Sequence, residues 1–69
     1  MPQGDGPDGD EVILEFVQIG AVTKATAMDP ATLVEVSIQG PASAGRAVLE
    51  ARALAKLAWV LDRRRRSRR

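Results

Sequence analysis

A chain of 69 residues with no cysteine, histidine or tyrosine allows one small domain, without disulfides or zinc sites of the Cys/His kind. A core of that size is marginal without staples, and oligomerisation is the remaining common remedy. The net charge of +1 hides a steep asymmetry: residues 1–35 carry seven acids against Lys24, a net −6, and residues 36–69 carry nine bases against Glu50 and Asp62, a net +7. Such a split suits antiparallel self-association, or a basic tail that meets an anionic partner.

Residues 1–10 are Met, Pro, Gln, Gly and Asp with no apolar periodicity, and are expected to be a disordered acidic tail. Asp8-Gly9-Asp10 looks like the start of a calcium loop, but the later ligand positions and the closing Glu are missing, so no metal is expected there. No apolar run reaches membrane-spanning length and the N-terminus lacks the basic-then-apolar order of a signal peptide. The expected setting is cytoplasmic, with no membrane attachment.

Three segments rich in Val, Ile, Thr and Leu follow, at residues 11–18, 21–28 and 33–39, and read as strands. Ile19-Gly20 suits a two-residue turn, and Asp29-Pro30-Ala31-Thr32 suits a longer one in which Pro30 fixes φ. Closing on the first turn sets Val12, Leu14 and Phe16 opposite Ala27, Ala25 and Thr23. Closing on the second sets Ala27, Ala25 and Thr23 opposite Val34, Val36 and Ile38. Both turns assign the same residues to one face, apolar apart from Thr23. On the other face Glu15 falls opposite Lys24 with Glu35 diagonal to it, surrounded by Ile13, Val17, Val22, Met28 and Leu33. So many large apolar groups on a face meant for water point to a partner.

Gly40-Pro41 ends the third strand, and residues 43–62 read as one amphipathic helix with Ser43 as its cap. Gly45 in its first turn costs about 1 kcal/mol relative to Ala. Leu54, Leu57 and Leu61 stack with Ala47, Ala51 and Ala58, and Leu49, Ala53 and Val60 widen that stripe to roughly half the circumference. A helix that covers one sheet face needs only about 100°. The excess predicts a second surface, most simply a second copy of the chain. The fold class is therefore α+β: a three-stranded antiparallel meander followed by one long helix on one face, over residues 11–62. The expected interface draws on Ile13, Val17, Val22, Met28, Leu33, Leu49, Ala53, Trp59 and Val60.

The order Glu15-Phe16, Gly20, Lys24, Thr26-Ala27, Asp29-Pro30, Thr32, Glu35-Val36-Ser37-Ile38, Gly40-Pro41, Leu49, Lys56-Leu57 and Val60-Leu61 resembles a family of short bacterial proteins known only as a domain of unknown function. The resemblance covers residues 11–62 and rests on turns, strand pairs and core positions. It implies a small, self-associating sheet-plus-helix domain and brings no activity with it.

Chemistry has little to work with. The available proton-handling or nucleophilic groups are Glu15, Lys24, Glu35, Ser37 and Glu50. A Glu15–Lys24 acid/base pair competes with a plain cross-strand ion pair, which is the simpler reading. Glu50, inside the apolar arc of the helix, is expected to reach water or an opposing base. The turn from Gly40 to Arg46 has glycines, a serine and an arginine at a helix start, but not the spacing of a nucleotide loop. No catalytic residue, cofactor or small-molecule substrate is assigned. The run Arg63, Arg64, Arg65, Arg66, Ser67, Arg68 and Arg69 is the sharpest feature, and is read as a tail able to neutralise phosphates of nucleic acid or another polyanion. Aromatic residues are not interleaved with it, and solvated charge is the competing reading.

Overall fold

The computed structural model describes residues 11–67. Strands β1 (Ile13–Ile19), β2 (Val22–Asp29) and β3 (Val34–Pro41) form one antiparallel sheet in the order β1-β2-β3. A short 3₁₀ turn, Ala42–Ala44, leads into the helix α1, Arg46–Ser67. The expected α+β meander and its covering helix are thus present. The predicted acidic tail, residues 1–10, lies outside the described residues, as do Arg68 and Arg69.

Both turns sit one residue later than the sequence reading placed them. Ile19 pairs with Val22, so the first turn is Gly20-Ala21. Gly20 has φ +61° and Ala21 is not in the left-handed region, the pattern of a type II′ turn, which wants glycine at its first central position. In the second turn Asp29 pairs with Val34 and the four residues 30–33 lie between. The Asp29 carbonyl accepts from the Leu33 N–H at 2.7 Å, and its carboxylate accepts from the Thr32 N–H and hydroxyl at 3.3 and 2.8 Å. Each shift displaces the ladder by two residues. Phe16 faces Ala25 rather than Thr23, and Ala25 faces Ile38 rather than Val36. Because side chains alternate with a period of two, a displacement of two keeps every residue on its predicted face.

Leu33 occupies the left-handed region at φ +64° with its side chain in solvent. That conformation costs a branched side chain roughly 1–2 kcal/mol, and asparagine adopts it more readily. Leu33→Asn is therefore expected to raise the unfolding free energy by about 0.5–1 kcal/mol, read as a higher urea midpoint at unchanged slope.

α1 lies over β2 and β3. The centre of the contact is Leu49, Ala53 and Leu57 on the helix, set into the floor of Ala25, Ala27 and Val36. Small residues on the middle strand let the helix approach closely. Gly40 extends the trough, since a Cβ there would lie 2.6 Å from Leu49 Cδ2. Leu54, Val60 and Leu61 flank the core, half-buried. Ala47, Ala51 and Ala58, expected in the buried stripe, are exposed. Alanine gains little from burial, so the leucines decide which way the helix turns.

The helix begins three residues later than expected. Ser43 lies inside the 3₁₀ turn, and Gly45, at φ +90°, stands just ahead of the helix, its carbonyl accepting from the Leu49 N–H at 3.3 Å. Gly45 therefore does not tax the first turn. It is the residue that allows the sharp entry. At the other end the helix passes Asp62 and continues through the arginines to Ser67.

Candidate interaction surfaces

The outer face of the sheet carries four cross-strand rows. Ile13 pairs with Met28 and Met28 with Glu35; Glu15 pairs with Thr26 and Thr26 with Ser37. Val17 pairs with Lys24 and Lys24 with Gln39; Ile19 pairs with Val22 and Val22 with Pro41. The face therefore has apolar groups at both ends, apart from Glu35 in the first row, and polar groups across its middle, apart from Val17; there the Thr26 and Ser37 hydroxyls hydrogen-bond at 3.0 Å. Ile13, Val17, Ile19 and Val22 are all exposed, Ile19 most of all at 74%.

Glu15 and Lys24 are not directly opposite one another. Glu15 faces Thr26, and Lys24 sits between Val17 and Gln39, so the two charges are diagonal neighbours with no ion pair between them. The expected cross-strand pair is corrected by the two-residue shift of the ladder.

Of the residues expected at an interface, Ile13, Val17, Val22 and Met28 share this outer face. Leu33 is exposed in the second turn. Leu49 and Ala53 have only 1% and 0% of their surface accessible within a single chain, and so belong to the core rather than to an interface. Val60 packs against that core, half-buried. Trp59 stands on the helix flank, 58% exposed. Ile19 joins the outer face unpredicted. Its strand character was hidden by assigning it to the turn, although a large β-branched residue beside Gly20 was itself a strand signal.

Two further charged groups of the fold, Arg46 and Lys56, have local partners. The Arg46 guanidinium lies over the Phe16 ring, 4.3 Å from its centroid, and lines a hollow with Ala42 and Gly45 of the strand-to-helix turn. Lys56 Nζ donates to the Ser37 carbonyl at 3.0 Å and so occupies an acceptor on the edge strand β3. Glu50 is half-buried on the helix. Among the described residues, no three or more His, Cys, Asp or Glu side chains gather to hold a metal ion. No helix among them is long and apolar enough to cross a membrane.

The arginine run is helical as far as it is described. Arg66 Nε pairs with Asp62 at 3.2 Å one turn back, and the Ser67 hydroxyl donates to the carbonyls of Arg63 and Arg64, each at 3.2 Å. Arg63 folds back over the Trp59 ring, 4.8 Å from its centroid. The helix thus brings together an aromatic ring and arginines that the linear order separates.

The comparison against known families covers this sheet and its helix. Residues 9–65 match a family model described as Domain of unknown function (DUF6898). The chain belongs to that family. No curated protein and no solved structure matches it. Family membership therefore accounts for nearly all of the folded region, including Arg63–Arg65, and leaves function to be argued from the surfaces.

Proposed function

We propose that this domain is a non-catalytic homodimeric interaction module whose two copies pack through the outer faces of their sheets. The observation that carries the reading is the self-complementary order of the four rows on that face. Consider a two-fold axis running across the strands, between the Glu15 row and the Val17 row. It sets the first row of one copy over the fourth row of its partner, as an isologous interface requires. Ile13 then meets the partner's Ile19, and Met28 meets the partner's Val22. Glu15 comes to lie beside the partner's Lys24, twice over by symmetry. Sheets packed in this way stand about 10 Å apart and exclude water from the apolar ends. The helices remain on the outside of the sandwich. The chain has no His, Cys or Tyr, and among the described residues no assembled acid, base or nucleophile supports a catalytic reading.

Charge reversal tests both the dimer and its geometry. Glu15→Lys and Lys24→Glu should each raise the dimer dissociation constant about tenfold or more, since each brings like charges together, a change of about 1.4 kcal/mol per decade. The double variant should recover most of the affinity. Light scattering over a dilution series reads all three. A wild-type chain that is folded and monomeric at micromolar concentration overturns the dimer. A double variant no better than either single one overturns this packing.

A further inference from the structure

Beyond the dimer, we propose that the C-terminal end of α1 is a binding site for single-stranded nucleic acid, in which Trp59 and Arg63 stack an unpaired base and the neighbouring arginines hold its phosphates. The site does not involve the sheet face, so it stands or falls separately from the dimer.

Three observations meet at this end of the helix. First, Trp59 is largely exposed. Second, a guanidinium already lies over its ring, with Arg63 Cζ 4.8 Å from the centroid. A flat guanidinium on a flat indole forms a layered surface of the type on which nucleobases stack, because every base has a π face. Third, Trp59, Val60, Arg63, Arg64 and Ser67 enclose a hollow of about 280 Å³. Pockets for free small molecules largely surround their ligand, whereas this hollow is open on the helix surface, as one base of a longer strand requires.

The charges around the ring are graded. Arg66 is already paired with Asp62, which leaves Arg63 and Arg64, both lining the hollow, as the cations nearest the ring. Their forked donors match phosphate oxygens. The helical backbone spaces them at fixed intervals, so they act as an ordered array and not as a loose chain of charge.

Single strands are favoured over the alternatives by the ring. A duplex or a sulfated polysaccharide would satisfy the arginines but has no free base for Trp59. An acidic membrane surface would also attract a tryptophan beside arginines. However, the helix face around Trp59 is made of Ala51, Ala55, Ala58, Arg52 and Lys56, and the nearest other large exposed apolar side chain on the helix is Val48, three turns away. That is too thin an apolar face to insert among lipid chains.

Trp59 is the only tryptophan and the chain has no tyrosine, so its fluorescence reports on this site alone. The full chain is titrated with a random single-stranded DNA oligonucleotide, the same sequence as a duplex, heparin, and vesicles containing phosphatidylserine. The expected result is binding of the single strand with quenching of Trp59, while duplex and heparin bind without comparable quenching. Affinity for the single strand should fall about sevenfold between 50 and about 200 mM salt if two phosphates are held. In fluorescence anisotropy with a labelled oligonucleotide, Trp59→Leu should lose about tenfold in single-strand affinity with heparin binding unchanged, and Trp59→Phe should restore much of the loss. The proposal is overturned if the single strand fails to bind at low salt. It is equally overturned if heparin quenches Trp59 as fully, if Trp59→Leu binds single strands like the wild type, or if the vesicles compete the oligonucleotide away and blue-shift Trp59.

Discussion

Replacing Leu57 with Asp is expected to unfold the domain at room temperature. Leu57 is 2% exposed and lies with Leu49 and Ala53 against the alanine floor of β2. Removing a leucine from such a site costs about 2–5 kcal/mol, and a carboxylate left there without a partner adds several more. Stability of about 0.05–0.15 kcal/mol per residue gives a domain of this length only about 3–10 kcal/mol in total. The substitution therefore removes most or all of what holds the fold. Circular dichroism should show loss of both helix and sheet, because among the described residues α1 alone covers the inner face of β2. A cooperative thermal transition within a few degrees of the wild type would mean that the helix does not sit where Leu49, Ala53 and Leu57 place it.

The sequence reading recovered the sheet, its order and its two faces, because a period of two survives errors in the turns. Its register differs by two residues because Gly20 stands at the first rather than the second central position of its turn, and because Leu33 belongs to the second turn rather than to β3. A leucine in the left-handed region has no sequence signal, since local preference argues against it. The helix posed a different difficulty. Its apolar arc was broad enough to admit several orientations, and the alanines were weighted like the leucines. Counting only Leu49, Leu54, Leu57 and Leu61 would have turned the buried side toward Ala53 and left Ala47, Ala51 and Ala58 outside. The continuation through the arginines was legible in principle. Arginine is a good helix former, and neither Gly nor Pro follows Asp62 before the chain ends. The approach of Arg63 to Trp59 follows from that continuation, as residues four apart on a helix are neighbours.

Broad arcs also explain why the surfaces were harder to read than the core. Leu49 and Ala53 seemed surplus to one sheet face and are in fact its centre, so the apolar excess of the helix is mostly alanine. That weakens any argument for a partner on the helix and strengthens the one for the sheet. Exposed alanines gain little from being covered, whereas Ile13, Val17, Ile19 and Val22 gain much more. The distinction separates two effects that a single hydrophobic tally would merge.

Val17→Asp puts that distinction to a direct test and is expected to separate the two copies while leaving each one folded. Val17 points from β1 into the outer face and is half exposed in the single chain, so the substitution forfeits little intramolecular packing. Within the proposed sandwich it lies beside the dimer axis, where Glu15 from the partner already stands. A new carboxylate there would be desolvated and next to a like charge, a loss of several kcal/mol. At about 1.4 kcal/mol per decade, the dimer dissociation constant should rise by a factor of roughly a thousand or more. Light scattering should then give the monomer mass at concentrations where the wild type is dimeric, with the helix and sheet signals in circular dichroism retained. Because association also supports a marginal core, the midpoint of thermal unfolding should fall with dilution in the wild type and be independent of concentration in the variant. The same variant on a naturally monomeric domain would change neither mass nor concentration dependence. Joint loss of mass and fold would place Val17 inside a structure that cannot exist as a single copy, and the module would then be an obligate dimer.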